Sequence, residues 1–303
     1  MPEPLPAISL VAVPGRRRQT LDIARDIERR GFSGIYMPSR YGNIAQCTGL
    51  ALATGSIRFG TAIAPIYLQT VEEFATSAAY IHEVSGGRFR FGVGVAHGPT
   101  HQRLGITVGK PLADTRTFVD KLRSFDGIGA LPPVVLAALR QRMVALAAEI
   151  AEGVLFANAS LSHMADSLSV VPAARRNDPE FLIGNMLPVC ITDDESAARA
   201  LHRRHLERYV LLPNYRNYWK EAGYREEMIA VEQALAENRR DDIPRYLTDR
   251  WIADNTLYGS AIKVRDRLAE WFNAGVNTPV LVPSSVNGNQ LRALDEIFAA
   301  FAA

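Results

Sequence analysis

The chain has 303 residues, 48% of them hydrophobic, and a formal net charge of +2. Its length suits one α/β barrel with insertions, and its composition is that of a globular protein burying a large core. The near-balanced charge gives no electrostatic basis for binding nucleic acid or an anionic membrane, and the triplet Arg16, Arg17, Arg18 reads as a solvated approach to a helix.

Short apolar strands alternate with amphipathic helices almost from end to end, the pattern of a parallel sheet covered by helices. Residues 8–13 read as the first strand. Residues 20–30 form the first helix, with Leu21, Ala24 and Ile27 as its buried stripe. A second strand at 34–37 and helix at 44–54 follow. Then come a third strand at 57–63, a helix at 71–82 and an apolar, glycine-rich fourth strand at 89–95. One helix, about 113–125, and the turn-rich DGIGALPP precede a fifth strand at 133–137. The helix RQRMVALAAEIAE leads to a sixth strand at 153–157 and a helix at 161–176. Residues 181–191 carry strand seven, and Asp193, Asp194 and Glu195 open a long helix, because acidic residues suit the positive end of its dipole. Residues 211–255 are rich in Tyr, Trp, Arg and Glu with broken helical periodicity. They read as a helical insertion between strands seven and eight within one domain spanning 1–303. A helix at 261–274, an eighth strand at 278–282 and a helix at 290–302 complete the chain. Eight strand–helix pairs predict a (β/α)8 TIM barrel; a doubly wound open sheet shares the same periodicity.

Cys47 and Cys190 lie far apart and form no metal or redox spacing, as expected of free thiols in a reducing cytoplasm. The first residues lack a basic region followed by a long apolar core, so no signal peptide is expected. No apolar run approaches the ~18 residues that span a bilayer. The expectation is a cytoplasmic protein.

In a barrel, chemistry sits on the loops that follow the strands. After strand four, GVGVAHGPTHQRLG brings glycines that permit close backbone approach. It also brings His97 and His101, whose i,i+4 spacing would suit a metal on a helix. Pro99 and the glycines argue against a helix there, and no carboxylate completes a ligand set, so no metal site is expected. A loop histidine beside a pocket suits proton transfer. At Leu139 to Arg142, the amides and dipole of a helix start favour an anion, with Asn158 and Ser160 as further donors. Arg140 and Arg142 are cations at the unfavourable end of that dipole, which points to an anionic partner. The aromatic stretch YVLLPNYRNYWKEAGY reads as packing on the barrel rim, with some rings lining a pocket.

The segments GTAIAPIY and SGGRFRFGVG resemble strands three and four of the bacterial luciferase-like monooxygenase superfamily, TIM barrels that bind flavin or deazaflavin. PPVVLAALRQRMVALAAEIAEGVLFANAS resembles the strand-five to strand-six unit of its F420-dependent branch, and GSAIKVRDRLAEWFNAGVNTPVLVP its last helix pair; the likeness fades in the insertion. The resemblance implies a cis peptide at Ala62-Ile63 under the cofactor ring, with Gly94 and Val95 beside it. It places the cofactor phosphate on Ala138, Leu139 and Arg140 and on the turn Asn158, Ala159, Ser160. Two departures bear on catalysis. Arg140-Gln141 replaces a common Gly-Pro, and PSRYG places Arg40 where many relatives have histidine, while His97 falls near a glutamate position. His97 is the candidate proton donor and Arg40 the candidate for orienting the substrate or stabilising an anion. The implied activity is an F420-dependent oxidoreductase moving a hydride between the deazaflavin C5 and a small organic substrate, in a homodimer. The alternatives are an FMN-dependent monooxygenase and a non-catalytic flavin- or F420-binding protein.

Overall fold

The computed structural model describes residues 4–39 and 42–302. Ten strands occur in it: β1 (Ala7–Ser9), β2 (Gly34–Pro38), β3 (Arg58–Ala62), β4 (Ala64–Pro65), β5 (Phe89–Gly94), β6 (Val134–Ala137), β7 (Gly153–Ala157), β8 (Leu182–Ile191), β9 (Leu257–Gly259) and β10 (Thr278–Pro283). All named strand pairings are parallel, and β10 bonds to both β1 and β8, which closes the sheet. This is a TIM barrel, and the open-sheet alternative is excluded. Its eight staves match the predicted strands. β4 is the continuation of the third stave, and β9, which the sequence reading lacked, pairs only with Val189 to Ile191 at the end of β8.

Strand alternation divides the apolar residues into two cores. Side chains such as Phe59, Phe91, Leu136 and Phe156 face the helices, whereas Val135, Leu155, Leu182, Met186 and Val280 fill the barrel. At the amino end the interior turns polar. Arg90 projects inward from β5 and bonds Glu180, which also pairs Arg58, with Tyr36 beside them around a cavity of about 180 Å³. Burial pushes the Tyr36 phenol up to about 12, although Arg90 and Arg58 oppose the shift. The amino end of a TIM barrel serves stability rather than chemistry.

The helices differ from expectation at two places. The predicted helix 161–176 is three short pieces, Leu161–His163, Met164–Leu168 and Ala173–Arg176, because Pro172 has no amide to continue the ladder. Residues Gly98–Leu104, expected to be irregular, are helical. Pro99 sits in the first turn, where a missing amide costs nothing, and Gly105 ends the helix at φ +62°. The insertion contains helices Pro213–Glu221, Arg225–Ala236, Ile243–Tyr246 and Asp249–Asn255. Tyr215, Tyr218, Trp219 and Tyr224 are all buried, so the aromatic stretch is packing, as predicted. Among the described residues, no helix is long and apolar enough to cross a membrane.

His202 on helix Glu195–Val210 makes the fold acid-sensitive. It is fully buried, its Nε2 lies 3.2 Å from the Leu257 carbonyl, and Nδ1 has no partner. The neutral tautomer that donates from Nε2 satisfies this geometry; a second proton would bury an unpaired charge. Burial accordingly holds His202 down at about 3. A depressed histidine contributes full stability above its unfolded value near 6.5 and loses it as pH falls towards the folded value. Unfolding free energy therefore drops by about 2 kcal/mol between pH 7 and pH 5 from this residue. Urea titrations at both pH values should show a smaller difference for His202→Gln; an equal drop in both proteins would remove His202 as the cause.

Candidate active site at the carboxyl end of the barrel

The third stave carries a bulge. Gly60 pairs with Arg90 and Ala64 with Val93, so the chain advances four residues on one side against three on the other. Within this interval the Ala62-Ile63 peptide is cis. Thr61 Oγ1 donates to the Gly92 carbonyl at 2.6 Å, and Asn43 Nδ2, from the start of the helix Asn43–Ala53, donates to the Ile63 carbonyl at 3.1 Å. The glycines of β5 serve this bulge. A Cβ on Gly92 would lie 1.8 Å from the Thr61 oxygen, and one on Gly94 would lie 2.8 Å from the Ala137 Cβ and 3.3 Å from the Ile63 side chain. Close approach is their function, as expected, but the approaching group is the neighbouring stave.

Above the inward-facing valines and leucines, the strand ends become small. Ala62, Ala137 and Ala157 occupy the last inward positions of β3, β6 and β7 and border the inner core with Ile63. Methyl groups rather than longer side chains therefore line the barrel mouth. Beside it stands His97, half-buried, with its ring centroid 5.7 Å from that of Tyr215. Ala96, at φ +60°, reverses the chain just before it. Burial lowers the His97 pKa, and the nearby charge of His101 lowers it further. His101 itself is held by the Val95 carbonyl, 2.5 Å from Nε2, so it presents a donor there and packs its ring edge against Tyr67. His97 precedes the helix and His101 lies inside it. Among the described residues, no group of three or more His, Cys, Asp or Glu is placed to hold a metal ion.

Asn158 follows β7 in the left-handed region at φ +55°, which asparagine tolerates better than most residues. Its amide donates to the Met186 carbonyl at 3.1 Å. Its side chain reaches the Tyr215 hydroxyl, a phenol pushed far up by burial and by Tyr209, and drawn back by that hydrogen bond. Tyr215 thus joins His97 to Asn158, linking the loops after β5 and β7 through the insertion. Ser160 is fully buried and committed elsewhere. Its amide donates to Tyr218 Oη at 3.0 Å and its hydroxyl to Asn255 Oδ1 at 2.8 Å. Trp219 Nε1 donates to the same oxygen and Asn255 Nδ2 to the Trp251 carbonyl, which pins the insertion against the turn. Ala159 is fully buried, with its amide 3.4 Å from Asn185 Oδ1.

A pocket of about 220 Å³ lies where Leu139 and Arg140 open the helix Gln141–Ile150, facing Tyr218 and Glu221 of the insertion. No side chain caps this helix start, so its first amides lack an intrahelical partner. Ser167 is buried in the same wall, where its hydroxyl hydrogen-bonds the Tyr218 phenol. Arg140 finds its anion within the chain: Nε lies 3.0 and 3.1 Å from the two Glu221 oxygens. The anionic partner inferred for Arg140 from the helix dipole is thus supplied by Glu221, and Arg142 is exposed outside the pocket. Ala138 is buried behind this wall and Val95 is half-buried at the mouth. Arg40 lies outside the described residues. Asn43, Tyr215, Ser167 and Glu221 complete the site. Only Tyr215 had a signal in the sequence, as one ring of the aromatic stretch.

Residues 7–125 and 124–278 match the luciferase-like monooxygenase family. The chain belongs to that family. This luciferase-like protein is an oxidoreductase, and it is 28% identical over 309 residues to a Mycobacterium tuberculosis protein assigned to the coenzyme F420-dependent oxidoreductases, Rv3520c, covering 85% of this chain and 88% of the relative. The coenzyme F420-dependent tetrahydromethanopterin reductase of Methanopyrus kandleri superimposes with a TM-score of 0.75 over 97% of both chains, at 17% identity. The oxygenating constituent of 3,6-diketocamphane monooxygenase from Pseudomonas putida, solved with FMN, superimposes with a TM-score of 0.59 over 91% of each chain, at 16% identity. At such identities these structures bear on the fold of the luciferase-like barrel alone.

Proposed function

We propose that this protein is an F420-dependent oxidoreductase that moves a hydride between the deazaflavin C5 and a small organic substrate. The observation carrying the reading is the mouth formed by Ala62, Ala137 and Ala157, continuous in chain order with an uncapped helix start at Gln141. One feature suits a flat tricycle, the other a phosphate. The similarity to the M. tuberculosis relative favours deazaflavin. When bound, the cofactor supplies hydride transfer; the protein supplies orientation and proton handling.

In this reading Ile63 backs the ring, held by Asn43 through its carbonyl. The amides at the start of the helix Gln141–Ile150 would hold the phosphate oxygens. Asn158 and Ser160 support those groups, Asn158 through Tyr215 and Ser160 through Tyr218 and Asn255. His97, kept neutral at pH 7 by its lowered pKa, takes the substrate proton in the oxidative direction and returns it in the reductive one. Fluorescence titration of the apoprotein with F420 and with FMN tests the assignment. Saturable F420 binding with at least tenfold weaker FMN binding is expected. Tight FMN binding without F420 binding would replace this reading with the flavin monooxygenase one. Reduction of bound F420 by members of an alcohol panel, or oxidation of reduced F420 by unsaturated acceptors, separates an enzyme from a carrier.

A further inference from the structure

The cavity at the amino end of the barrel lies below the layer of Val135, Leu155 and Val280, on the far side from the mouth. Strand register builds it. Tyr36, Gly60 and Arg90 align on adjacent staves and face inward, and Gly60 between them has no side chain. The Tyr36 ring leans towards the amino end over Gly34, where a Cβ would lie 3.0 Å from Cε2. Its phenol thereby sits among the guanidiniums of Arg90 and Arg58, whose charges both act on it. These groups are short of partners. Arg90 is buried, yet its one carboxylate, Glu180, is shared with Arg58. Glu180 gives one oxygen to Arg90 at 3.0 Å and the other to Arg58 at 2.7 Å, and its side chain is 61% exposed. Among the described residues Arg58 makes no other hydrogen bond, and the Tyr36 hydroxyl makes none although Tyr36 is only 3% exposed. Buried charges are normally paired and buried hydroxyls bonded. Two guanidiniums facing one carboxylate and a neutral phenol leave the lining one net positive charge.

We propose that this cavity binds a small carboxylate bearing a single charge, held by Arg58 and Arg90 and by the Tyr36 hydroxyl. A carboxylate is planar and accepts only, so it matches the remaining N–H groups of a guanidinium and a phenol donor at once. One negative charge brings the lining to neutrality, whereas two would overshoot it in a partly buried space. The way in is the solvent face at Ser33, Pro179 and Glu180, all exposed. Such a ligand binds the folded state and stabilises the barrel by mass action. Nothing in this site depends on the identity of the cofactor at the other end.

The test titrates the protein with sodium formate, against sodium chloride at matched ionic strength, and reads the thermal midpoint. Saturation-transfer NMR of the formate proton reads binding directly. Formate should raise the midpoint saturably by about 2–4 °C, and chloride should not. Arg58→Gln should weaken binding at least about tenfold and Tyr36→Phe about threefold. Glu180→Gln removes the competing carboxylate and should tighten binding about fivefold. It and Tyr36→Phe keep the test decisive if Arg58→Gln folds poorly. Absence of formate binding overturns the site, as does an equal midpoint rise in the wild type and all three variants, the mark of a bulk salt effect. Inorganic phosphate binding about tenfold more tightly than formate would overturn the assignment to a carboxylate.

Discussion

His97→Gln should lower turnover by about two to three orders of magnitude while changing F420 affinity less than threefold. The measurement uses whichever substrate of the alcohol or acceptor panel turns over, with cofactor binding read separately by fluorescence. The separation follows from position. His97 stands on the rim, against the Tyr215 ring, and contributes nothing to the Ala62–Ala137–Ala157 floor or the pocket at Gln141. The pH profile gives a second readout. Burial first, and the charge of His101 second, hold His97 below its usual range. A proton acceptor with a lowered pKa stays competent at pH 7, and the oxidative rate falls as pH drops through that value. His97→Gln should lack this acid limb. His101→Gln, with one repelling cation fewer, should move the limb to higher pH. An acid limb unchanged in His97→Gln would assign the titration to another group.

The barrel was legible because strand and helix periodicities are set by burial, and burial acts along the whole chain. All eight staves fall within a few residues of their predicted positions. The errors occur where a local rule was applied without its position. Pro99 argues against a helix interior yet suits a first turn, and only the fold shows that His97 is the residue outside that turn. Pro172 lies inside a stretch whose apolar spacing looked continuous, and there its missing amide does break the helix.

At the site, backbone features were more legible than side-chain partnerships. The bulge at Ala62-Ile63 was legible from family resemblance, whereas the glycines after it were read only as permitting close backbone approach, and that Gly92 makes room for Thr61 and Gly94 for Ala137 took the fold to show. Glu221 lies 81 residues after Arg140, on an insertion with weak family likeness, so nothing in the sequence paired them. Asn43 likewise looks like an ordinary polar residue at a helix start until the Ile63 carbonyl is placed above it. The same distance in sequence explains why Ser160 reads as a free donor. Its partners, Tyr218 and Asn255, are 58 and 95 residues away.

Ala137→Phe should abolish saturable F420 binding, raising the dissociation constant at least about a hundredfold, with little loss of stability. Ala137 ends β6 on the inward side, half-buried, and its Cβ faces the gap left by Gly94. A benzyl group cannot enter that gap, because even a methyl group on Gly94 would come within 2.8 Å of the Ala137 Cβ. It must turn into the mouth, where a ring would otherwise lie on Ile63. The barrel below is unaffected, since Val135, Leu155 and Val280 fill it one layer deeper. Ala137→Gly should leave affinity within threefold, which separates lost space from lost contact. Ala157→Phe, at the neighbouring strand end, should reproduce the block. A thermal midpoint within a few degrees of wild type would show that the loss is local. If Ala137→Phe and Ala157→Phe both bind F420 like the wild type, the ring does not occupy the mouth. The residues after β5 and β7 would then line an access route instead of a cofactor site.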